Sequence, residues 1–265
     1  MAEWKDLGNS VSFVLYAGSL AVWLKILIRQ INGQPPLSLR EQQPVCWAAP
    51  PVCATFLVAF FLPTFIIALA GRLADHSSDA VRWHLACSLA QMVTVVGLLR
   101  IAGPLRKADF GCNLADWQND VLVGVGGFLV SLAPVYLVTV GQQLLNWRGP
   151  DDKHFFFKIL ESDEGHGILF WIVASVVIVG PLAEELLYRV VLQGWMQSQV
   201  EPWQAVLFSA LIFCLAHRPS DMLPLAPLAI TLGYIYYRRR SYLAVVTAHA
   251  LFNATNIALA LLQGS

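Results

Sequence analysis

VIVGPLAEELLYRVVLQGW, residues Val177–Trp195, is apolar enough for a bilayer interior yet carries Glu184, Glu185 and Arg189. Charge in hydrocarbon costs a few kcal/mol per residue and persists mainly where it is paired or used. Two later apolar segments share the anomaly. FSALIFCLAH (Phe208–His217) closes on His217, and AVVTAHALFN (Ala244–Asn253) carries His249 and Asn253. These residues are the first candidates for a polar site inside a membrane. The dipeptide Gly180-Pro181 sits in the middle of the first stretch. Proline removes a backbone donor, so the spacing predicts one helix ending near Val179 and another starting at Pro181.

The rest of the chain agrees with a membrane setting. Of its 265 residues 57% are hydrophobic and 13% charged, with a mean hydropathy of +0.60. Soluble domains carry about 25% charged residues, so this composition cannot cover a water-facing surface. Lysine plus arginine balance aspartate plus glutamate at 17 each, which gives no reason to expect nucleic acid as a partner. The lipid bilayer is the expected surrounding. The five cysteines, Cys46, Cys53, Cys87, Cys112 and Cys214, show no CxxC spacing and read as small apolar fillers or loop residues rather than a disulfide framework.

A helix needs about 20 apolar residues to cross hydrocarbon. On that rule the chain reads as an all-α, polytopic membrane protein, a bundle of about eight transmembrane helices. The expected spans are Ser10–Ile28, Pro51–Ala70, Trp83–Ala102, Val121–Leu145, Ile168–Gly180 running on to Trp195, Trp203–Ala216, Leu223–Tyr237 and Tyr242–Leu262. They form one transmembrane domain over residues 1–265, with a core over 168–262 that holds the charged and histidine motifs. Trp83, Trp117, Trp147, Trp171 and Trp203 fall at span ends, as an aromatic belt requires. Gly124, Gly126 and Gly127 imitate part of a dinucleotide loop but lie inside a span, where close helix packing accounts for them. The connection containing Asp151, Asp152, His154, Glu161, Asp163, Glu164 and His166 has no recognisable ligand spacing and reads as a solvated loop.

Helix geometry sorts the polar residues. Residues four apart share a face, so Glu185 and Arg189 pair, while Glu184 lies about 100° around and is left without that partner. The same step joins Phe213 to His217 and His249 to Asn253. An imidazole and a carboxamide side by side can donate hydrogen bonds to a developing oxyanion. A carboxylate and a histidine, Glu184 and His217, can polarise a water for attack on a carbonyl. Alternatively Glu184, His217 and His249 form a zinc site of two imidazoles and a carboxylate with an open position. Asn253 is a poor zinc ligand and there is no HExxH, so the metal-free version, with no cofactor, is preferred.

AEELLYR, FCLAH and HALFN match in order the EExxxR, FxxxH and HxxxN motifs of the type II CAAX prenyl endopeptidase-like proteins, the CPBP group of intramembrane proteases, and the chain resembles that family from about Pro181 to Asn256. GYIYYRRRSYLAVVTAHALFN is similar to the family's approach to its last motif, with Gly233 and Arg238 in place, and LRKADFG (Leu105–Gly111) is weakly similar. Arg238-Arg239-Arg240-Ser241 stands where relatives commonly have Arg-Thr-Gly-Ser, so the turn lacks its glycine.

The resemblance implies an eight-helix bundle with a polar intramembrane chamber and an intramembrane endopeptidase activity. It also implies that Glu184 and His217 activate water, that His249 and Asn253 stabilise the oxyanion, and that Glu185 and Arg189 support the site, with Phe213 the first residue of the middle motif. The implied partner is a peptide or membrane-protein substrate, with or without a prenyl group, and the implied location a multi-pass position in a membrane, the cell membrane if the source is prokaryotic. Two alternatives stand beside this reading: a non-catalytic immunity or scaffold protein of the same family, and a proton-coupled transporter.

Overall fold

The structure is a computed structural model that describes residues 2–40, 45, 47–70, 77–112, 114–147, 159 and 165–264. Among these are eight helices and no strand. They are α1 (Ala2–Ile31), α2 (Ala49–Ala70), α3 (Ser77–Ala102), α4 (Trp117–Leu144), α5 (residues 165–196), α6 (Pro202–Leu215), α7 (Pro219–Arg239) and α8 (Tyr242–Gly264). Two 3₁₀ turns, Lys107–Phe110 and Leu114–Asp116, lead into α4. In the acidic and histidine-bearing connection, Asp151, Asp152, His154, Glu161, Asp163 and Glu164 lie outside the described residues, as does Cys46.

Among the described residues, five helices are long and apolar enough to cross a membrane: Asp6–Ile31, Asp79–Ala102, Trp117–Leu144, Gly167–Met196 and Tyr242–Leu262. Shorter apolar helices occupy Ala49–Leu62 and Pro202–Leu215. At 1.5 Å per residue, the 14 residues of α6 reach only about 21 Å, short of a hydrocarbon core of about 30 Å. α7 carries Asp221, Pro224, Pro227, Arg238 and Arg239 and is the least lipid-like of the eight. The chain is an all-α, multi-pass membrane protein.

The outward faces are apolar, as lipid requires: Phe13, Val93, Ile101, Leu122 and Leu137 are all exposed. The five expected interface tryptophans are exposed too. Helices α4, α5, α7 and α8 enclose the core, with Leu187, Val190, Phe213, Leu228, Leu232, Val245 and Ala248 fully or almost fully buried. Glycine sets the closest approach. A Cβ at Gly124 would stand 2.6 Å from the Ala244 carbonyl oxygen and from the Thr247 Cβ, and one at Gly127 would strike Ile235. Gly124 and Gly127 therefore let α4 lie against α7 and α8, while Gly126 faces open space. This is small-residue packing, the usual way two helices approach in lipid.

Interior prolines supply a second kind of interhelical tie. A proline at position i leaves the carbonyl at i−4 without its helical donor, and in lipid that group needs another partner. Pro63 frees Ala59, whose oxygen accepts from Gln91 Nε2 on α3 at 2.9 Å. Pro134 frees Val130, which accepts from Trp23 Nε1 on α1 at 3.0 Å. Pro224 frees Ser220, which accepts from Gln142 Nε2 on α4 at 3.2 Å. Each of these three prolines thus marks a point where a neighbouring helix is hydrogen-bonded to the backbone.

The expected break at Gly180-Pro181 does not occur. Helix α5 runs straight through, and its backbone changes register: α-helical over Gly165–Ile172, π-helical over Val173–Val179, α-helical over Gly180–Glu185, π-helical over Leu186–Gln193 and α-helical over Gly194–Met196. The wider π turn accommodates the proline ring that would clash in a regular α-helix, and such segments concentrate at functional sites. The Gly180 N–H donates to the Ser175 carbonyl five residues back. A Cβ on Gly180 would lie 2.7 Å from that oxygen, so this residue has to be glycine for the register to hold.

Candidate active site

Glu184 and Glu185 project from the α-helical interval of α5, between its two π segments. Glu185 is fully buried. Its Oε2 accepts from Arg189 Nε at 3.0 Å, the intrahelical pair that the four-residue spacing predicts. Its Oε1 lies 2.8 Å from His249 Nδ1 on α8, a contact that spacing along one helix does not reveal. A carboxylate accepts, so Nδ1 is the protonated nitrogen and Nε2 turns the other way. His249 Nε2 stands 3.8 Å from Glu184 Oε2. That oxygen is buried and has no hydrogen-bond partner among the described residues, while the Glu184 side chain as a whole is 30% exposed. One carboxylate is thus sealed in a network, and its neighbour borders open space.

Arg189 is the centre of the sealed network. It is fully buried, donates from Nη1 to Ser209 Oγ at 3.1 Å and lies with its guanidinium carbon 5.2 Å from the centroid of Phe213. An arginine over an aromatic face gains about 0.5–2 kcal/mol. Ser209 in turn donates to Gln193 Oε1 at 2.9 Å, and Gln193 Nε2 donates to the Gly233 carbonyl at 2.8 Å. The chain His249–Glu185–Arg189–Ser209–Gln193–Gly233 therefore ties α5, α6, α7 and α8 together. Gln193 and Ser209 are absent from the sequence reading. Gln193 had a usable signal, since it continues the four-residue stripe of Glu185 and Arg189. Ser209 had none.

His217 sits at the C-terminal end of α6, half-buried. Its Nδ1 is 2.7 Å from the Phe213 carbonyl. A carbonyl only accepts, so Nδ1 carries the proton and the Nε2 lone pair is available in the neutral ring. The Phe213 ring lies 4.6 Å from the His217 ring and 5.8 Å from the His249 ring, centroid to centroid. Phe213 thus contributes its carbonyl to orient one histidine and its face to separate the two. Glu184 and His217, expected to act together on a water, are not hydrogen-bonded to each other.

Asn253 lies one turn beyond His249. Its Nδ2 donates to the Val176 carbonyl in the first π segment at 2.8 Å. Beside it, Ser175 Oγ is 2.7 Å from His84 Nδ1 on α3. Tyr242 at the start of α8 donates to the Leu182 carbonyl at 2.6 Å, two residues before Glu184. The two α8 ties both fall on α5 N-terminal to the glutamates, and along α8 they flank His249.

Of the three residues of the alternative zinc site, Glu184 and His249 approach within 3.8 Å of each other. Among the described residues no three His, Cys, Asp or Glu side chains form a group able to hold a metal ion. His249 commits one nitrogen to Glu185, and His217 commits one to the Phe213 carbonyl.

The turn after α7 keeps the geometry of the glycine it lacks. Arg240 adopts the left-handed conformation, with φ 41° and ψ 50°. Arg239 bridges to Asp116 at 3.5 Å and bonds Ser38 at 3.2 Å, and Arg40 binds Asp116 at 2.6 Å and Asp120 at 2.9 Å. Gly111, at φ 67°, packs directly on the Arg240 carbonyl and accepts from the Tyr242 N–H at 3.2 Å. The segment Leu105–Gly111 is therefore the support on which the last turn and Tyr242 rest.

Comparison with known families agrees with the motifs. Residues 166–255 match the family described as Type II CAAX prenyl endopeptidase Rce1-like, and all three motifs fall within that range. The match supports assignment to the CAAX protease family, a family of membrane proteases. Comparisons with curated proteins and with solved structures found no match.

Proposed function

We propose that this chain, whose residues 166–255 match the type II CAAX prenyl endopeptidase family, is an intramembrane endopeptidase that hydrolyses a peptide bond with a water activated by Glu184 and His217. The observation that carries the reading is the split between the two glutamates. Glu185 is fully buried and saturated by Arg189 and His249, whereas Glu184 keeps a buried oxygen with no hydrogen bond. A carboxylate kept in hydrocarbon without a bond of its own is costly, and a water or a substrate group at that oxygen offsets the cost.

In this mechanism Glu184 takes a proton from the water while the Nε2 lone pair of His217 helps to orient it. The hydroxide oxygen bonds to the scissile carbonyl carbon, and the carbonyl oxygen takes the negative charge. His249 Nε2, when protonated, donates to that oxygen, with the imidazolium held by Glu185 on its other side. The amide of Asn253 has a second N–H beyond the one given to Val176 and serves the same oxyanion. Collapse of the tetrahedral intermediate breaks the C–N bond, and the proton held by Glu184 passes to the departing amine. Arg189 neutralises Glu185, so that the buried carboxylate is not left as an unpaired charge. The substrate is a peptide or a membrane protein presented from the bilayer, and prenylation of that substrate is the specific chemistry to test.

The test is turnover of quenched fluorescent peptides, prenylated and not, by wild-type and Glu184→Gln protein in detergent, with and without a chelator. Wild-type cleavage that survives chelation and is lost in Glu184→Gln is the expected result. A folded Glu184→Gln protein that retains turnover refutes the role of Glu184. Loss of wild-type turnover on chelation refutes the metal-free mechanism.

A further inference from the structure

Three of the interior prolines in this fold, Pro63, Pro134 and Pro224, each leave a carbonyl that a polar side chain from another helix takes up. Pro181 is a fourth, with one difference. It follows a π segment, in which the donor for a carbonyl lies five residues on. The carbonyl that Pro181 fails to serve is therefore Val176, and this is the one that accepts from Asn253 Nδ2 at 2.8 Å. Asn253 belongs to the last motif of the candidate site. Its amide is thus held by the carbonyl that residue 181, which has no N–H, leaves open.

Gly180 supports the same register independently. Its N–H bonds the Ser175 carbonyl, and a Cβ there would sit 2.7 Å from that oxygen. Gly180 permits the wide turn and Pro181 leaves its next carbonyl open. On the far side of the proline, three and four residues on, the helix presents Glu184 and Glu185, with His249 one turn from Asn253 on the facing helix. The π turn, the asparagine and the Glu184–His249 approach therefore form one mechanical unit.

We propose that Pro181 is a positioning residue for the active site: by withholding a hydrogen-bond donor it reserves the Val176 carbonyl for Asn253 and so sets the placement of the Asn253 amide. The proposal rests on the endopeptidase reading for its kinetic consequence but not for its structural one. Pro181→Ala supplies an N–H that competes for Val176 or draws the turn back to the α register. Alanine is also the better helix former, so the variant is expected to fold.

The experiment combines kinetics with a probe that needs no activity. The ¹⁵N side-chain amide resonance of Asn253, assigned by its loss in Asn253→Ala, is compared in wild-type and Pro181→Ala protein in the same detergent. The resonance is expected to shift. On the peptide substrate, kcat is expected to fall about 10- to 100-fold, the range for a catalytic group misplaced by about 1 Å, with KM within about twofold. In the Pro181→Ala/Asn253→Ala double variant the loss should equal that of Asn253→Ala alone, because both changes break one bond. An unshifted amide overturns the proposal whatever the activity. A shifted amide with wild-type kcat, or losses that multiply in the double variant, overturns the positioning role. A shifted amide in a protein that cleaves no peptide supports the structural inference and counts against the endopeptidase reading.

Discussion

The Glu185–Arg189 pair offers the most direct measurement of what holds the site. Both side chains are fully buried, and the Nε to Oε2 distance is 3.0 Å. Each also has a second partner, His249 for the glutamate and Ser209 for the arginine. Removing one member of such a pair leaves the other as an uncompensated buried charge, at a cost of about 3–5 kcal/mol. Glu185→Leu strands Arg189 and removes the acceptor for His249 Nδ1, while Arg189→Leu strands Glu185 and leaves Ser209 with Gln193. For a chain of this size each kcal/mol moves the melting temperature by about 2–4 °C. Both single variants should therefore melt roughly 6–20 °C below wild type. The Glu185→Leu/Arg189→Leu double variant should recover much of that loss, since well-packed apolar residues can replace a buried pair at little cost. Thermal unfolding of the three variants and wild type in one detergent measures the coupling. Single variants that melt within about 2 °C of wild type, or losses that simply add in the double variant, would refute the claim that the pair is a closed electrostatic unit.

Other consequences can be checked more briefly. Glu184→Gln should abolish peptide turnover while melting within about 2 °C of wild type, because the buried Oε2 of Glu184 has no hydrogen-bond partner among the described residues for the fold to lose; paired melting and activity assays test both halves. Arg240→Gly should raise stability by about 1–2 kcal/mol, since it relieves a left-handed arginine whose Nε and Nη2 are buried without partners; thermal melts decide the sign. Trp23→Phe and Gln142→Leu should each destabilise by about 1–3 kcal/mol, by leaving the Val130 or Ser220 carbonyl unsatisfied, and the loss should vanish when Pro134 or Pro224 is simultaneously replaced by Ala. Gly124→Val should separate α4 from α8 and sharply lower the melting temperature, because its Cβ meets the Ala244 carbonyl oxygen at 2.6 Å.

Much of this molecule was legible in its residue order. Hydropathy located eight helices because a span in lipid must satisfy its backbone internally and show apolar side chains outward, and both demands are local. The Glu185–Arg189 pair, and the separation of Glu184 from it, follow from 3.6 residues per turn. The three motifs lie in the segment that matches the protease family because their spacings are short and chemically distinctive. What residue order left undecided was every contact between helices: the bond from Glu185 to His249, the continuation of the network to Ser209 and Gly233, and the rest of Tyr242 on Leu182. Each pairs positions tens of residues apart, and no periodicity within one helix encodes them.

Pro181 shows the division best. Read along the chain it is a helix breaker, and the expected interruption follows from the chemistry of one residue. In the folded protein the lost donor is made good from another helix by Asn253, and a π turn makes room for the ring, so the helix continues through a position where an isolated one would stop. The sequence by itself determined that one backbone carbonyl would go unserved, because the absence of an N–H is a covalent fact, while the π register of the folded helix made that carbonyl Val176 rather than Val177. Only the tertiary structure decided that the group would be served from α8, because that depends on two helices lying close enough for a 2.8 Å bond.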